Sequence, residues 1–414
     1  MSSGFIAIRE GFRINLDLTR KEHGTMKHKW VNESQKVHSD VEDVEITRIA
    51  GGGSIYPESV KASPDGKRFI LQRGDGYHVC DLETMAYTKV NDSCTITNSA
   101  YNEYIYFWHK ASSSEKENRV YRVSFSTLEV EEVVKAKGWP EMSVYGHSPT
   151  ISPSHEYLVY PAVAPSRSSI IRVNLKDGSW QEILQWPSNL RHLHFEPTEG
   201  KYIQVQDNCG EIGPDGVPTK RIGKHGATHF IISADGKQHF PLPLGEPHTS
   251  RCGGHAFWIP GTMRIAAQID WVHNEFSQFK DRPEDWTTDS RYPDTTMVVA
   301  GPEDEKPFPF KAADQRFYHV SVSKCGKYFC CDSVPTRKGP TQIVVGKFES
   351  GKYRMVADNV HCYTGSISPS SRPYLTANLK HVIYRAKEDP IIEGDKGWFT
   401  YAARLSDEFL NSLE

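Results

Sequence analysis

The chain has 414 residues, with 49 Lys+Arg against 52 Asp+Glu, a formal charge of −3. Near-neutrality without a basic stripe excludes a general polyanion binder and argues against nucleic acid as a partner. No run of about 18 apolar residues is present, which excludes a transmembrane helix, while 9 Trp, 19 Tyr and 18 Phe suffice for a large core.

The N-terminal residues Met1–Glu10 lack a basic region followed by a long apolar stretch, so no secretory signal is expected and a cytoplasmic location is. Strand-like Phe5–Leu18 is read as a segment that could complete the last unit of a closed ring. From Val60 onward one pattern recurs. A few β-branched or aromatic residues lead into a tight Ser/Pro/Asp/Gly turn, which is followed by an alternating apolar strand. It begins at Val60-Lys-Ala-Ser-Pro-Asp-Gly-Lys-Arg-Phe-Ile-Leu71 and returns at 96–107, 149–160, 192–203, 255–265, 319–329 and 364–374. Seven copies spaced roughly 36–64 residues apart bracket the span of a four-stranded propeller blade. Second hairpin signals fall between them, at Arg172–Gly178, Ile231–Gly236 and Phe348–Gly351.

The reading is all-β: one seven-bladed propeller over 1–414, with an insertion loop at 274–293 that is long, charged and aromatic. Two stacked β-sandwiches are the alternative. Ser406–Leu413 reads as a short terminal helix. The copies run nearly to the last residue, so no α/β-hydrolase domain of the prolyl-oligopeptidase kind is expected. The eight Cys are scattered without a CxxC pair, which predicts free thiols.

In a propeller the residues before each turn belong to the innermost strand, where equivalent positions meet around one axis. Histidines stand at or near this place in several copies: His147, His192, His255, His319 and His361. Converging neutral imidazoles suit a borderline divalent metal, although each alone is equally a satisfied strand-end residue. Arg167 and Arg172 precede the His192 copy and Arg251 precedes His255; an Arg fork binds a carboxylate at two points, and each alone reads as a solvated side chain. No nucleophile elbow, P-loop or dinucleotide fingerprint is present; Gly51-Gly-Gly-Ser is a flexible turn.

Three segments carry a resemblance. Glu246-Pro-His-Thr-Ser-Arg-Cys-Gly-Gly-His-Ala-Phe-Trp-Ile-Pro260 resembles the "C-x-H-E-F-W-x-P-D-G" blade of oligogalacturonate lyases. Leu190-Arg-His-Leu-His-Phe-Glu-Pro197 is similar to that family's "L-G-H-P-x-Y-R-P", and Ile171-Arg-Val-Asn-Leu-Lys-Asp-Gly178 to its "I-R-V-D-L-x-T-G". The resemblance spans about 55–385 and is dense over 165–270. It implies a seven-bladed propeller that cleaves short α-1,4-linked galacturonides by β-elimination. It also implies a Mn²⁺-type divalent metal, a histidine base and an arginine. Carried over by motif, His192 falls on the base and His255 on a metal ligand. The glutamate after that ligand is replaced by Ala256.

The last copy departs from the family's "Q-x-x-H-P-H-P-S-F-x-P". Asn359 stands at the glutamine, His361 lies one residue from the first histidine, and Thr364 occupies the second. His319 is expected to compensate, so the implied metal set is His255, His319 and His361. Arg167 is the first choice for the substrate arginine and Arg172 the second, with Arg251 and His147 as further substrate contacts. The expected partner is a small oligosaccharide, with no membrane and with self-association left open. A non-catalytic ring that binds a sugar or protein, and a lyase for another uronide such as a glucuronide, are the alternatives.

Overall fold

The computed structural model describes residues 28–52, 60–92, 94–97, 100–111, 117–143, 149–220, 223, 226–250, 252–269, 290–334, 341–362, 371–388 and 397–414. They form a seven-bladed β-propeller, as the repeat predicts. Each blade is an antiparallel sheet, and in blades 1 to 6 the strands run in chain order from the hub outwards. Blade 2 is Thr95–Ile96, Tyr104–His109, Asn118–Ser124 and Val130–Ala136; blade 3 is Thr150–Ile151, Tyr157–Ala164, Arg167–Asn174 and Trp180–Trp186. Blade 5 is Cys252–Trp258, Ile265–Ile269, Thr295–Ala300 and Phe308–Lys311, and blade 6 is Phe317–Val322, Tyr328–Ser333, Thr341–Lys347 and Tyr353–Val360. Blade 1 is Arg68–Arg73, Gly76–Asp81 and Ala86–Asn91, its innermost strand reduced to a bridge from Ala62 to Phe69. Blade 4 is Leu190–Phe195, Tyr202–Asp207, Thr228–Ser233 and His239–Pro241, with a small hairpin, Glu211–Ile212 and Pro218–Lys220, set between its second and third strands.

The recurring hairpin turn has a local cause. In Ser63-Pro-Asp-Gly-Lys-Arg68 the Ser63 hydroxyl accepts the Arg68 N–H at 2.9 Å and donates to Asp65 at 2.6 Å, and Asp65 accepts the Lys67 N–H at 3.0 Å. Gly66 follows at φ +72°, a region that glycine enters without steric cost. Blade 7 repeats this arrangement in Thr376-Ala-Asn-Leu-Lys-His381. Thr376 Oγ1 accepts the His381 N–H at 3.0 Å and donates to Asn378 at 2.8 Å, and Leu379 takes φ +63° in the glycine's place. This corrects the sequence-based placement of the last turn, which the Ser-Pro-Ser-Ser run at 368–371 had drawn to the wrong residues.

Ring closure also differs from expectation. Blade 7 consists of Tyr374–Leu375, His381–Lys387 and Trp398–Leu405, then Val44–Gly51 and Gln35–Val37 from the N-terminal side. Val44–Gly51 pairs antiparallel with Trp398–Leu405 and closes the circle. Phe5–Leu18, the segment proposed for this job, lies outside the described residues. Val44 and Ile46 are buried on either side of solvent-facing Glu45, and after a register break between Arg48 and Ala50 the burial resumes at Ile49 and Ala50, which shows why Val44–Gly51 fits: it is a half-buried strand. The terminal helix is present as Asp407–Asn411, with Ser406 Oγ accepting the Phe409 N–H at 3.1 Å and Asp407 and Glu408 in its first turn.

Packing between blades is aromatic. Trp108 of blade 2 meets Tyr160 of blade 3 at 4.8 Å between ring centroids, and Phe310 of blade 5 meets Phe329 of blade 6 at 4.8 Å. Each such fully buried ring contributes roughly 1.5–3 kcal/mol. All eight cysteines are free thiols. The segment 274–293 falls outside the described residues as far as 289. No helix among the described residues is long and apolar enough to cross a membrane.

Candidate functional site

The hairpin turns fix which residues are equivalent from blade to blade. The same backbone bond closes each one: Glu196 N–H to Tyr202 O, Ile259 N–H to Arg264 O, Ser323 N–H to Tyr328 O and Thr376 N–H to His381 O. Four residues before each closing N–H stand His192, His255, His319 and Arg372, in blades 4, 5, 6 and 7. In blades 4 to 6 the innermost strand bulges there, with register breaks between Arg191 and His194, Cys252 and Ala256, and Phe317 and Val320. A bulge takes a residue out of the ladder and re-aims its side chain. His192 and Arg372 sit at φ +46° and +50°, strained values for residues with a Cβ.

The neighbouring second strands supply a matching position. Two residues beyond the pairs His194–Gln204, Phe257–Ala266 and Ser321–Cys330 lie Gln206, Gln268 and Asp332. Asp332 is fully buried. Its Oδ1 accepts the His319 backbone N–H at 2.8 Å, both oxygens face His319 Nδ1 at 3.0–3.1 Å, and Oδ2 accepts the Arg372 backbone N–H at 3.1 Å. One carboxylate therefore binds the hub ends of blades 6 and 7. Burial works against its charge, but the His319 ring and these hydrogen bonds outweigh it and hold the Asp332 carboxyl below its ordinary range. Burial pushes the His319 pKa down to about 4; Asp332 opposes the shift, while His255 and Arg372 add to it. His319 is thus neutral near pH 7. With Nδ1–H directed to Asp332, its Nε2 carries the lone pair.

Contacts bring the expected histidines together in part. The rings of His255 and His319 lie 4.2 Å apart between centroids. Blade 5 is seated on blade 4 through Gly254, at φ +89°, where a Cβ would stand 2.7 Å from Gln206 Nε2. Gln206 is the cross-strand partner of Arg191, beside buried His192, and donates to Asn208 at 2.5 Å. The opposite end of the hub is stoppered. Tyr101, from the blade 2 hairpin, donates toward Leu375 O at 2.7 Å and Val322 O at 3.1 Å, reaching blades 6 and 7 across the axis. A cavity of about 260 Å³ lies at that hairpin end, with Tyr101, His155 and His194 in its wall. It is a different place from the ends of the strands that carry His192, His255 and His319.

The other expected residues separate. His361 follows the outer strand of blade 6; its carbonyl accepts the Lys387 N–H at 2.7 Å, and it borders a hollow shared with His38, Tyr384 and Lys387. The structure does not bring it to the hub, and the corrected turn of blade 7 explains why: the equivalent position belongs to Arg372. Arg172 donates to Ala234 O at 2.7 Å and lies 4.6 Å over the Tyr157 ring, which ties blade 3 to blade 4. Arg167 is exposed at the start of its strand. Arg251 and His147 lie outside the described residues. Sequence reasoning missed Arg372 and Asp332; the Thr376–His381 turn is the signal that locates the first.

No family model matches the chain, and no curated protein matches it. Solved structures do. An oligogalacturonate lyase in complex with manganese superposes with a TM-score of 0.64 at 16% identity, covering 93% of this chain and 99% of that one. An oligogalacturonate lyase from Vibrio parahaemolyticus gives 0.59 at 15%, covering 93% and 100%. Prolyl endopeptidases match at 0.48 and 12%, covering 80% and 46%. At these identities the likeness establishes the seven-bladed fold.

The described residues do not fit a manganese ion held as the resemblance implies. Among the described residues no three His, Cys, Asp or Glu side chains converge to hold a metal. His255 and His319 meet, but His361 is elsewhere, and the hub position of blade 7 carries a guanidinium whose positive charge acts on His319.

Proposed function

We propose that this chain is a carbon–oxygen lyase that cleaves short uronic-acid oligosaccharides, oligogalacturonide-like, by β-elimination. The observation that supports it best is the recurrence of His192, His255 and His319 at one position of three consecutive blades, in a fold shared along nearly its whole length with oligogalacturonate lyases. A cytoplasmic enzyme of this kind would act on imported oligosaccharides.

The chemistry sets what the site must do. The C5–H of a uronate is a weak acid because the adjacent C6 carboxylate is already negative. Its removal becomes feasible when fixed positive charge and donors meet the charge that flows onto that carboxylate. His192 takes the C5 proton. The C5–H electron pair becomes the C4=C5 bond, and O4 leaves with the electrons of the broken C4–O4 bond and gains a proton from solvent. The product is a 4,5-unsaturated uronide. His255 and neutral His319, the latter held by Asp332, line the place where the reacting sugar sits. Arg167, with Arg251 and His147, would meet carboxylates of flanking sugar units. Arg172 is a strap between blades in this reading. A divalent cation such as Mn²⁺ would have His255 and His319 as its described ligands and lacks a third, so no step is assigned to it.

The test is the absorbance of the new C=C bond on incubation with di- and trigalacturonides and with glucuronides. Absorbance should rise for one uronide class and be lost in His192→Asn with an unchanged melting temperature. No rise with any uronide, with or without Mn²⁺, removes the lyase. The arginine at the blade 7 position favours one second reading, a ring that binds acidic sugars without cleaving them; uronide binding without absorbance would select it.

A further inference from the structure

We propose that the hairpin-end mouth of the ring, opposite the histidine hub, holds one neutral sugar unit through Glu103 and His155. The site is independent of the lyase reading and takes a different kind of ligand, polar but uncharged.

The cavity at that mouth is walled by residues of blades 1 to 5. Tyr101, bonded to Val322 O and Leu375 O, closes the side toward blades 6 and 7. At about 260 Å³ it falls just below the roughly 300–1,000 Å³ of drug-sized sites, so it fits a single ring rather than a chain.

Three prolines recur at one turn position around it. Pro64, Pro153 and Pro197 each follow the residue whose N–H closes its hairpin, namely Ser63, Ser152 and Glu196. The repeated turn therefore sets three apolar rings in the cavity wall. Such rings pack on the C–H face of a sugar and leave its hydroxyls to the polar groups.

His155 is one of those groups. It stands at the turn position of Gly66 and Gly326 in blades 1 and 6. Its N–H donates to Ser152 O at 2.9 Å, as theirs do to Ser63 O and Ser323 O, and its φ is +63°. Glycine is at ease there and a residue with a Cβ is strained. The imidazole is held in the cavity wall: Nδ1 meets the Tyr106 hydroxyl at 2.9 Å, and the ring stacks on Tyr106 at 6.0 Å and meets Tyr104 edge-on at 5.4 Å. Its Nε2 has no partner among the described residues. Burial, with Arg122 adding and Glu103 opposing, lowers the His155 pKa, so the ring is neutral near pH 7. Glu103 is exposed at the rim, and its carboxylate makes no ion pair among the described residues.

Charge and hydrogen bonding select the ligand. Among the described residues that line the cavity there is a carboxylate and no Lys or Arg, so a uronate is repelled. Ionised Glu103 only accepts, and Nε2 of a neutral imidazole offers one donor or one acceptor. Neighbouring sugar hydroxyls, each both donor and acceptor, satisfy the two together. An ammonium would meet Glu103 and leave the proline faces uncovered.

The experiment titrates the full chain with the methyl glycosides of galactose, glucose and mannose. Methyl galacturonoside and ethylammonium are the charged controls. Binding is followed by saturation transfer to the ligand and by the ring-nitrogen resonances of His155. At least one neutral glycoside should shift those resonances with a Kd on the order of 1 mM, and the controls should bind at least about 10-fold more weakly. Glu103→Ala and His155→Gly should each weaken the neutral glycoside about 10-fold or more. Glu103 is exposed and glycine suits φ +63°, so both variants should fold.

No shift with any neutral glycoside, tighter binding of either control, or wild-type affinity in both variants overturns the site. Uronide cleavage is no part of the readout, so failure of the lyase reading leaves the site standing, and loss of the site leaves the lyase.

Discussion

Replacing Asp332 with asparagine separates the hub's polar framework from its shape. The carboxylate is fully buried and accepts the backbone N–H of His319 at 2.8 Å, its Nδ1–H at 3.0–3.1 Å and the backbone N–H of Arg372 at 3.1 Å. An amide keeps one acceptor oxygen and turns an NH₂ toward groups that are themselves donors. Two charge-assisted hydrogen bonds are lost inside the protein, a cost of about 4 kcal/mol. Unfolding entropy of about 2.1 cal/mol/K per residue over 414 residues gives roughly 0.9 kcal/mol/K. The melting temperature should therefore fall by about 4–5 °C. Differential scanning calorimetry reads this directly. In the same variant the His319 ring loses the acceptor that fixes its tautomer, so its two nitrogen resonances should no longer report one N–H on Nδ1. A melting temperature within about 1 °C of the wild type, with the tautomer retained, would refute the role given to Asp332.

Gly254→Ala should disturb the hub without touching a charged group. A Cβ there would stand 2.7 Å from Gln206 Nε2 at a φ of +89° that alanine resists, so turnover should drop well before the fold is lost, as activity and melting curves measured together will show. His381 ties stability to acid. Burial, aided by Arg404 and Lys380, lowers its pKa to about 4. The folded protein therefore keeps it neutral while the unfolded chain protonates it near 6.5. Its contribution is complete above pH 6.5 and is lost as pH falls toward 4, by up to about 3 kcal/mol. Urea midpoints across that window should flatten in His381→Gln. Glu196→Ala should cost about 1–3 kcal/mol in a urea titration, because its carboxylate accepts the N–H groups of Thr198 and Glu199 and reaches across to Gly261 N–H in blade 5.

The circular fold was legible because its signal is local and repeated. A Ser or Thr whose hydroxyl meets the side chain two residues on, followed by a residue that takes positive φ, makes the same hairpin at Ser63, Ser152, Ser323 and Thr376, and a repeat seen several times needs no tertiary information. Blade 7 broke the rule at one point. Leu379 occupies the place of the glycine, so the Thr376–His381 turn was hidden beside the more conspicuous Ser-Pro-Ser-Ser at 368–371. That one shift of register moved the hub position from Arg372 to the neighbourhood of His361 and Thr364. Three of the hub residues, His192, His255 and His319, were found because their turns were read correctly. Asp332 was not, since a buried carboxylate has no local pattern and acquires its role from which strands the ring sets side by side. The closing strand Val44–Gly51 escaped for the same reason: its partner, Trp398–Leu405, lies at the far end of the chain.

The central claim is bond cleavage by elimination at the hub, and the fate of water tests it most directly. Digalacturonate, or the uronide that the absorbance screen selects, is cleaved in heavy-oxygen water and the products are weighed by mass spectrometry. The account predicts two products whose masses sum to that of the substrate, one of them lighter than a uronate by a water molecule, with label entering no faster than it enters free galacturonate by anomeric exchange, and no product at all from His192→Asn. Products whose masses sum to substrate plus one water, or unchanged cleavage in His192→Asn, would contradict it.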